Sequence, residues 1–413
     1  MAKTPEELCE ERRRRVLDTM TLKKPDRIPI YLPFGVFGAK YAGITVKQAY
    51  EDTARWKDIN EKMFLEYQPD YYIWLYAFDM VANEMIDNKL YCWPGHGVPE
   101  HSNFQYVEHE YMPEEEYDIF IDNPGEYIFR YFLPRAYEGV SGLGKMPPFW
   151  SILSLAGPCG SFAMPEVVNS LETLIKAAKH NMDHMMTVFD FMPRMEAKGF
   201  PDLNIPIVDG LCPFDLISDH FRGLRSATLD MFRNPDKLLA AEAKMLPYIL
   251  SSVKAAANAS PYQVYSMATH RGSDEFMSLQ QFEKFYWPGL KAMINTVAEA
   301  GKISFVLWEG IWDKRLQYLR ELPKGKVVSW FDRTNLVKAK EVLGDTMCIC
   351  GGMPLSLLTT GTAQQVRDHT KKVIETVGKD GGFIMASNTL LDTAQPSLVK
   401  VWVETTREFG NYG

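Results

Sequence analysis

Eight short apolar runs recur along the chain, starting near residues 27, 70, 204, 262, 303, 326, 346 and 382, and each is followed by at least one stretch with helical spacing. Uninterrupted apolar runs of this length suit parallel strands buried on both faces. A repeated β/α alternation leaves two architectures, a closed barrel or an open doubly wound sheet. Eight β/α units favour the (β/α)8 TIM barrel, an α/β fold that accommodates a 413-residue chain when it carries insertions. The open sheet is the alternative. Its nucleotide-binding version loses ground because no Gly-x-Gly-x-x-Gly turn follows the first run.

The chain reads as one domain over residues 1–413, interrupted after the second strand by a large insertion at 80–200. The segment 91–165 is rich in Gly, Pro, aromatic and acidic residues, and helices are expected at 114–139 and 166–198. Long connections of this kind often form lids or pocket walls. Regular alternation resumes with strands expected at 205–211 and 262–268, separated by helices over 214–233 and 235–258. Ser278 is placed to cap the next helix, and a closing helix is expected at 396–409.

Bulk properties exclude several classes of function. A net charge of −8 gives no basic footprint for nucleic acid. No run approaches the roughly 18 apolar residues that a membrane span needs. The polar start, Met-Ala-Lys-Thr-Pro-Glu-Glu, has no signal-peptide character, so a cytoplasmic location is expected. Six scattered cysteines do not suggest a disulfide framework. Cys348 and Cys350 point the same way on their strand and read as small core residues, with Cys350 kept as a possible ligand. Aromatics make up 13% of the chain, alongside 21 Met. A large core explains this, and so does a pocket for a flat apolar ligand.

In parallel α/β folds chemistry is usually placed at the C-terminal ends of the strands. The run Ile303-Ser-Phe-Val-Leu-Trp leads straight into Glu309 and Gly310. His270 and Arg271 follow the 262–268 run, Asp332 and Arg333 the 326–331 run, and Asn388 the last. Glu309, Asp332 and His270 are the candidate catalytic groups. Arg271, Arg333 and Asn388, with the aromatic Phe34, Tyr76 and Trp308, are the candidate substrate contacts. A buried carboxylate needs a partner, and Arg271 or Arg333 is placed to supply one to Glu309. His96 and His101 lie in the insertion and are expected at the surface.

The ordered set of local phrases resembles the uroporphyrinogen decarboxylase superfamily over nearly the whole length. The phrases are Glu11-Arg-Arg-Arg-Arg-Val-Leu with Lys24-Pro-Asp-Arg-Ile-Pro-Ile, Cys212-Pro-Phe-Asp-Leu, Phe232-Arg-Asn-Pro-Asp, and Phe276-Met-Ser-Leu-Gln-Gln-Phe-Glu-Lys-Phe-Tyr-Trp-Pro-Gly-Leu. Cys350-Gly-Gly-Met-Pro and Gly382-Phe-Ile-Met-Ala-Ser-Asn complete it. The resemblance implies a (β/α)8 barrel, often a homodimer. It also implies one of two chemistries: decarboxylation, or methyl transfer with corrinoid proteins at a zinc site.

The decarboxylases carry an arginine-rich phrase after the first strand to hold porphyrin carboxylates. This chain has Tyr31-Leu-Pro-Phe-Gly-Val-Phe-Gly38 there, without arginine. Thiol-directed methyltransferases of the superfamily carry a His-x-Cys after the fifth strand and a Cys after the eighth. Those positions fall on Leu307, Glu309 and Asn388. The O-demethylating branch uses more varied ligands, so the resemblance implies a zinc site built from Glu309, His270 and Cys350, or no metal. The expected activity is methyl transfer from a small, aromatic methoxy compound to cobalamin carried by a partner corrinoid protein. Decarboxylation of a small acid, with Arg271 and Arg333 holding the carboxylate, is the alternative. A non-catalytic binding protein on the same barrel is a third reading.

Overall fold

A computed structural model describes residues 3–73, 76–205 and 210–412. Five parallel strands, Val264–Thr269, Ile303–Trp308, Val327–Phe331, Cys348–Met353 and Phe383–Ser387, pair in sequence order. Single parallel bridges carry the sheet round on both sides. Ile30 bridges Met385, Tyr31 bridges Tyr71, and Asn204 bridges Val264. Between the second and third positions the Asn204 amide donates to Tyr72 O at 2.8 Å and accepts from the Tyr71 hydroxyl at 2.7 Å. The result is the (β/α)8 barrel. Parts of the expected second and third strands, residues 74–75 and 206–209, lie outside the described residues.

The period-two rule of strands sorts the side chains into two cores. Val264, Ile303, Phe305, Val328, Trp330, Cys348, Cys350, Ile384 and Ala386 pack with Tyr31 and Tyr71 inside the barrel. Tyr265, Val306, Trp308, Val327, Phe331, Ile349 and Met385 face the helices. Tyr31 sits at the centre of the inner core, with ring centroids 5.2 Å from Tyr71, 5.4 Å from Phe305 and 5.2 Å from Trp330. Aromatic rings thus form the centre of the barrel's inner core.

The base of the barrel is tied by a buried ion cluster. Asp70 accepts from Arg15 Nη1 at 2.8 Å, from Arg27 Nη1 at 2.6 Å and from the Ile30 amide at 2.9 Å. It joins the N-terminal helix Pro5–Met20 to the first two strand positions.

The insertion is less regular than expected. It holds a small three-stranded sheet, Tyr91–Pro94, Gly97–Val98 and Gln105–Tyr106, where no strand was expected. The expected 114–139 helix breaks into short pieces, including a π-helical segment at Ile128–Phe132. The expected 166–198 helix is two, Pro165–Phe189 and Phe191–Glu196. Ser278 caps its helix through a reciprocal pair with Gln281, and Pro396–Phe409 closes the chain as expected. Among the described residues no helix is long and apolar enough to cross a membrane.

Candidate active site at the barrel mouth

The inward phase of each strand decides what reaches the mouth. Ile303, Phe305 and Leu307 point into the barrel or toward its inner core, so Glu309 continues on the inner side. By the same count Asp332 follows Val328 and Trp330, and Asn388 follows Ile384 and Ala386. His270, Arg271, Glu309, Asp332, Arg333 and Asn388 line one cleft of about 230 Å3. All six are residues that the sequence singles out.

Glu309 and Leu307 also line a larger cavity of about 800 Å3 that descends into the barrel. Its wall includes Phe34, Phe64, Tyr76, Phe78, Phe305 and Trp330. Tyr91 reaches it from the insertion. Among the described residues Glu309 is the one Asp, Glu, Lys, Arg or His side chain in that wall. Phe34 and Tyr76 thus sit where a substrate-contact role needs them.

Trp308 does not. It is fully buried on the outer side of its strand, its ring centroid 4.6 Å from that of Trp312. The expectation for it fails because an adjacent residue on a strand faces the opposite way. Cys350 points inward but pairs in register with Trp330 and Ile384, one inward layer below Asp332 and two below Asn388. It lies in the fully buried core, and burial pushes its thiol well above the ordinary range.

The cleft is organised by two acids that the sequence reading missed. Asp215 lies on the short helix Pro213–Leu216 and Asp219 on the π-helical turn after it. Asp215 accepts from the backbone amides of His270 at 3.0 Å and Arg271 at 2.9 Å, and from the Tyr286 hydroxyl at 2.5 Å. Asp219 Oδ2 lies 2.5 Å from His270 Nδ1, and its Oδ1 lies 3.0 Å from Arg271 Nη2. Two Asp residues four apart on a helix share one face. That spacing, inside Cys212-Pro-Phe-Asp-Leu and its continuation, was the available signal.

Electrostatics follow from these contacts. Burial of His270 disfavours its charge, but the Asp219 hydrogen bond and the charges of Asp215, Asp219 and Glu309 outweigh it and raise the imidazole to about 9. Glu309 is raised above the ordinary carboxylate range. Its burial is the main cause, opposed by His270 and reinforced by Asp215, Asp332 and Asp219. The expected arginine partners are committed elsewhere. Arg271 also reaches Glu108 at 3.2 Å, and Arg333 holds Glu275 at 2.6 Å and Asp332 at 3.4 Å. Asp332 accepts from the Gly310 amide at 3.1 Å, and Asn388 donates to it at 3.4 Å.

The donor set does not suit the zinc site expected from Glu309, His270 and Cys350. Cys350 is a layer too deep to share an ion with the other two, and Asp219 on His270 Nδ1 leaves Nε2 as that ring's one possible donor. Among the described residues no three His, Cys, Asp or Glu side chains are grouped to hold a metal ion.

The His270 arrangement predicts a stability signature. A histidine raised in the fold stabilises it fully below its unfolded value of 6.5, and that contribution is lost as pH rises through about 9. Asp219→Asn should return the imidazole toward its ordinary range and remove this alkaline loss. NMR titration of the His270 ring together with denaturant melts from neutral to alkaline pH would show it. A wild-type His270 that titrates below neutral contradicts the assignment.

A parallel α/β barrel with perturbed acids gathered around a mouth cavity has the layout of a barrel enzyme. The chain belongs to the uroporphyrinogen decarboxylase (URO-D) family, whose profile matches residues 165–409, more than half of its length. Among solved structures it is similar to a methyltransferase from Methanosarcina mazei, with a TM-score of 0.60 and 15% identity over 96% of this chain and 98% of the other. That likeness concerns the fold. A search of curated protein sequences gave no match.

Proposed function

We propose that this protein is a methyltransferase that takes a methyl group from a small aromatic methoxy compound and passes it to a corrinoid on a separate partner protein. One observation carries the reading: among the described residues Glu309 is the one carboxyl group facing a cavity of about 800 Å3 whose other described walls are mostly aromatic and aliphatic. An apolar cavity suits an aromatic ring, and its described wall offers no cation for a polycarboxylate.

A methyl ether resists cleavage because an alkoxide or phenoxide leaves poorly. The corrinoid supplies the nucleophile that accepts the methyl. The C–O bond breaks, the oxygen keeps the electron pair, and Glu309 delivers its proton to that oxygen. The raised affinity of Glu309 for its proton favours the protonated form that a general acid needs. The His270 imidazolium then stands close enough to favour the carboxylate left behind. Asp219 holds that ring through Nδ1, and Asp215 fixes the backbone that presents it.

The lyase reading asks Arg271 and Arg333 to hold a substrate carboxylate. Both guanidinium groups already pair with protein carboxylates, which weighs against it.

The test mixes the protein with a panel of methoxyarenes and cob(I)alamin, free or on a corrinoid protein. Demethylated phenol and the visible spectrum of the methylated corrinoid should appear together. Carbon dioxide from an aromatic acid, without methyl transfer, would replace the proposal with the lyase reading.

A further inference from the structure

One hydrogen-bond network at the cavity wall plays no part in the proposed reaction. Its hub is Asn103, in the insertion, just before the short strand Gln105–Tyr106. Asn103 Oδ1 accepts from the Phe104 amide at 2.9 Å and from the Tyr50 hydroxyl at 2.6 Å. Its Nδ2 donates to Asp392 Oδ2 at 3.0 Å and to the Tyr76 hydroxyl oxygen at 3.2 Å. Asp392 is held in turn by the Val36 amide, which donates to its Oδ1 at 2.8 Å. The network thus ties the insertion to the segments that follow the first, second and eighth strand positions.

These contacts fix which way the network runs. A backbone N–H can only donate, so the Phe104 amide places the Asn103 oxygen on its own side and the nitrogen on the other. The two protons of that nitrogen go to Asp392 and Tyr76. Tyr76 is the acceptor in its bond to Asn103, so its own proton is not spent there. Among the described residues no group accepts that proton. Burial pushes the phenol above its ordinary value, so it stays a donor. Tyr76 also forms part of the wall of the 800 Å3 cavity. A phenol proton without an acceptor in a mostly apolar wall is unfavourable, and a ligand that brings an oxygen satisfies it.

Glu309 follows the fifth strand and Tyr76 the second strand position, so the two donors enter the cavity from different sides of the barrel. That placement suits two oxygens at different places on one ring. We infer that Asn103 is a positioning residue that leaves the Tyr76 hydroxyl free to donate to the substrate, and that the substrate is a ring with a second acceptor oxygen in addition to the methoxy oxygen facing Glu309. The inference rests on the reading of the cavity as a methoxyarene site, and it narrows that class to rings oxygenated at two positions.

The test is equilibrium binding by calorimetry without any corrinoid, so its outcome does not depend on methyl transfer. The probes are the ortho, meta and para dimethoxybenzenes and the matching ethylanisoles, in which a methylene replaces the second oxygen. A wall without a free donor would hold the more apolar ethyl compounds better. The wild type should instead bind at least one dimethoxybenzene ~5-fold or more tighter than its ethylanisole, as one added hydrogen bond allows. Tyr76→Phe should cancel that preference and leave the ethylanisole affinity unchanged. Asn103→Leu should weaken the preference too, but should add nothing in a Tyr76→Phe background, because it acts through Tyr76. Far-ultraviolet circular dichroism checks the fold of each variant. Equal or reversed affinities in the wild type for every pair overturn the inference, and so does a preference that survives Tyr76→Phe. An Asn103→Leu effect of the same size on both probes and in both backgrounds overturns the positioning role. A preserved preference with no methyl transfer to cob(I)alamin counts against the reaction alone.

Discussion

Glu309→Gln should lower the rate of methyl transfer by ~10²–10⁴-fold, the range set by losing a positioned proton donor. The amide keeps the size of the side chain and still hydrogen-bonds, but it has no proton to release to a departing oxygen. Affinity for the methoxy compound should change little, because the aromatic walls of the cavity supply most of the contact. The fold should not suffer. A carboxyl group raised by burial weakens the folded state as pH climbs past its unfolded value, and glutamine removes that burden. Single-turnover kinetics and a thermal melt on one preparation separate the two effects. Full activity in Glu309→Gln would remove Glu309 from the chemistry. An unfolded variant would mean that the side chain is structural.

The second large effect concerns the other end of the barrel. Asp70 has a fully buried side chain, yet its carboxyl is lowered from its ordinary value despite that burial, because Arg27, Arg15 and the Ile30 amide all favour its charge. Asp70→Ala leaves the buried Arg15 guanidinium without this partner and Arg27 without its carboxylate. Breaking a buried pair from one side costs ~3–5 kcal/mol. The melting temperature should fall by ~3–6 °C, with the mouth chemistry unaffected in protein that remains folded. The pH sign is that of a depressed acid. Its contribution is present above the unfolded value of 3.8 and is lost as pH falls through the lower folded one. Asp70→Asn should therefore flatten the acid limb of the stability curve. A variant as stable as the wild type at neutral pH would show that Asp26 and Glu11 are sufficient partners for Arg15.

The barrel was legible because a parallel strand buried on both faces must be apolar throughout, and eight such runs could be counted. The mouth was legible wherever phase was respected. Glu309, Asp332 and Asn388 stand two residues beyond inward-facing Leu307, Trp330 and Ala386, so position alone brought them into one cleft. Trp308 was misread through neglect of that phase. Cys350 was misread through depth, since strand register, invisible in one sequence, puts it level with Trp330. Asp215 and Asp219 come from a helix that precedes the fourth strand, and no local pattern says that this helix returns to hold His270. The small sheet at Tyr91–Tyr106 was hidden because its strands are two to four residues long and lie among Gly and Pro.

The central claim is that Glu309 works as a protonated acid at the floor of the cleft and the head of the aromatic cavity. The most direct measurement is the pH dependence of single-turnover methyl transfer from a methoxyarene to cob(I)alamin, with saturating substrate. The rate should be high on the acidic side and fall as pH rises through the elevated Glu309 value, and this limb should vanish in Glu309→Gln. A rate that stays flat or climbs across that range, with the same profile in the variant, would contradict the account.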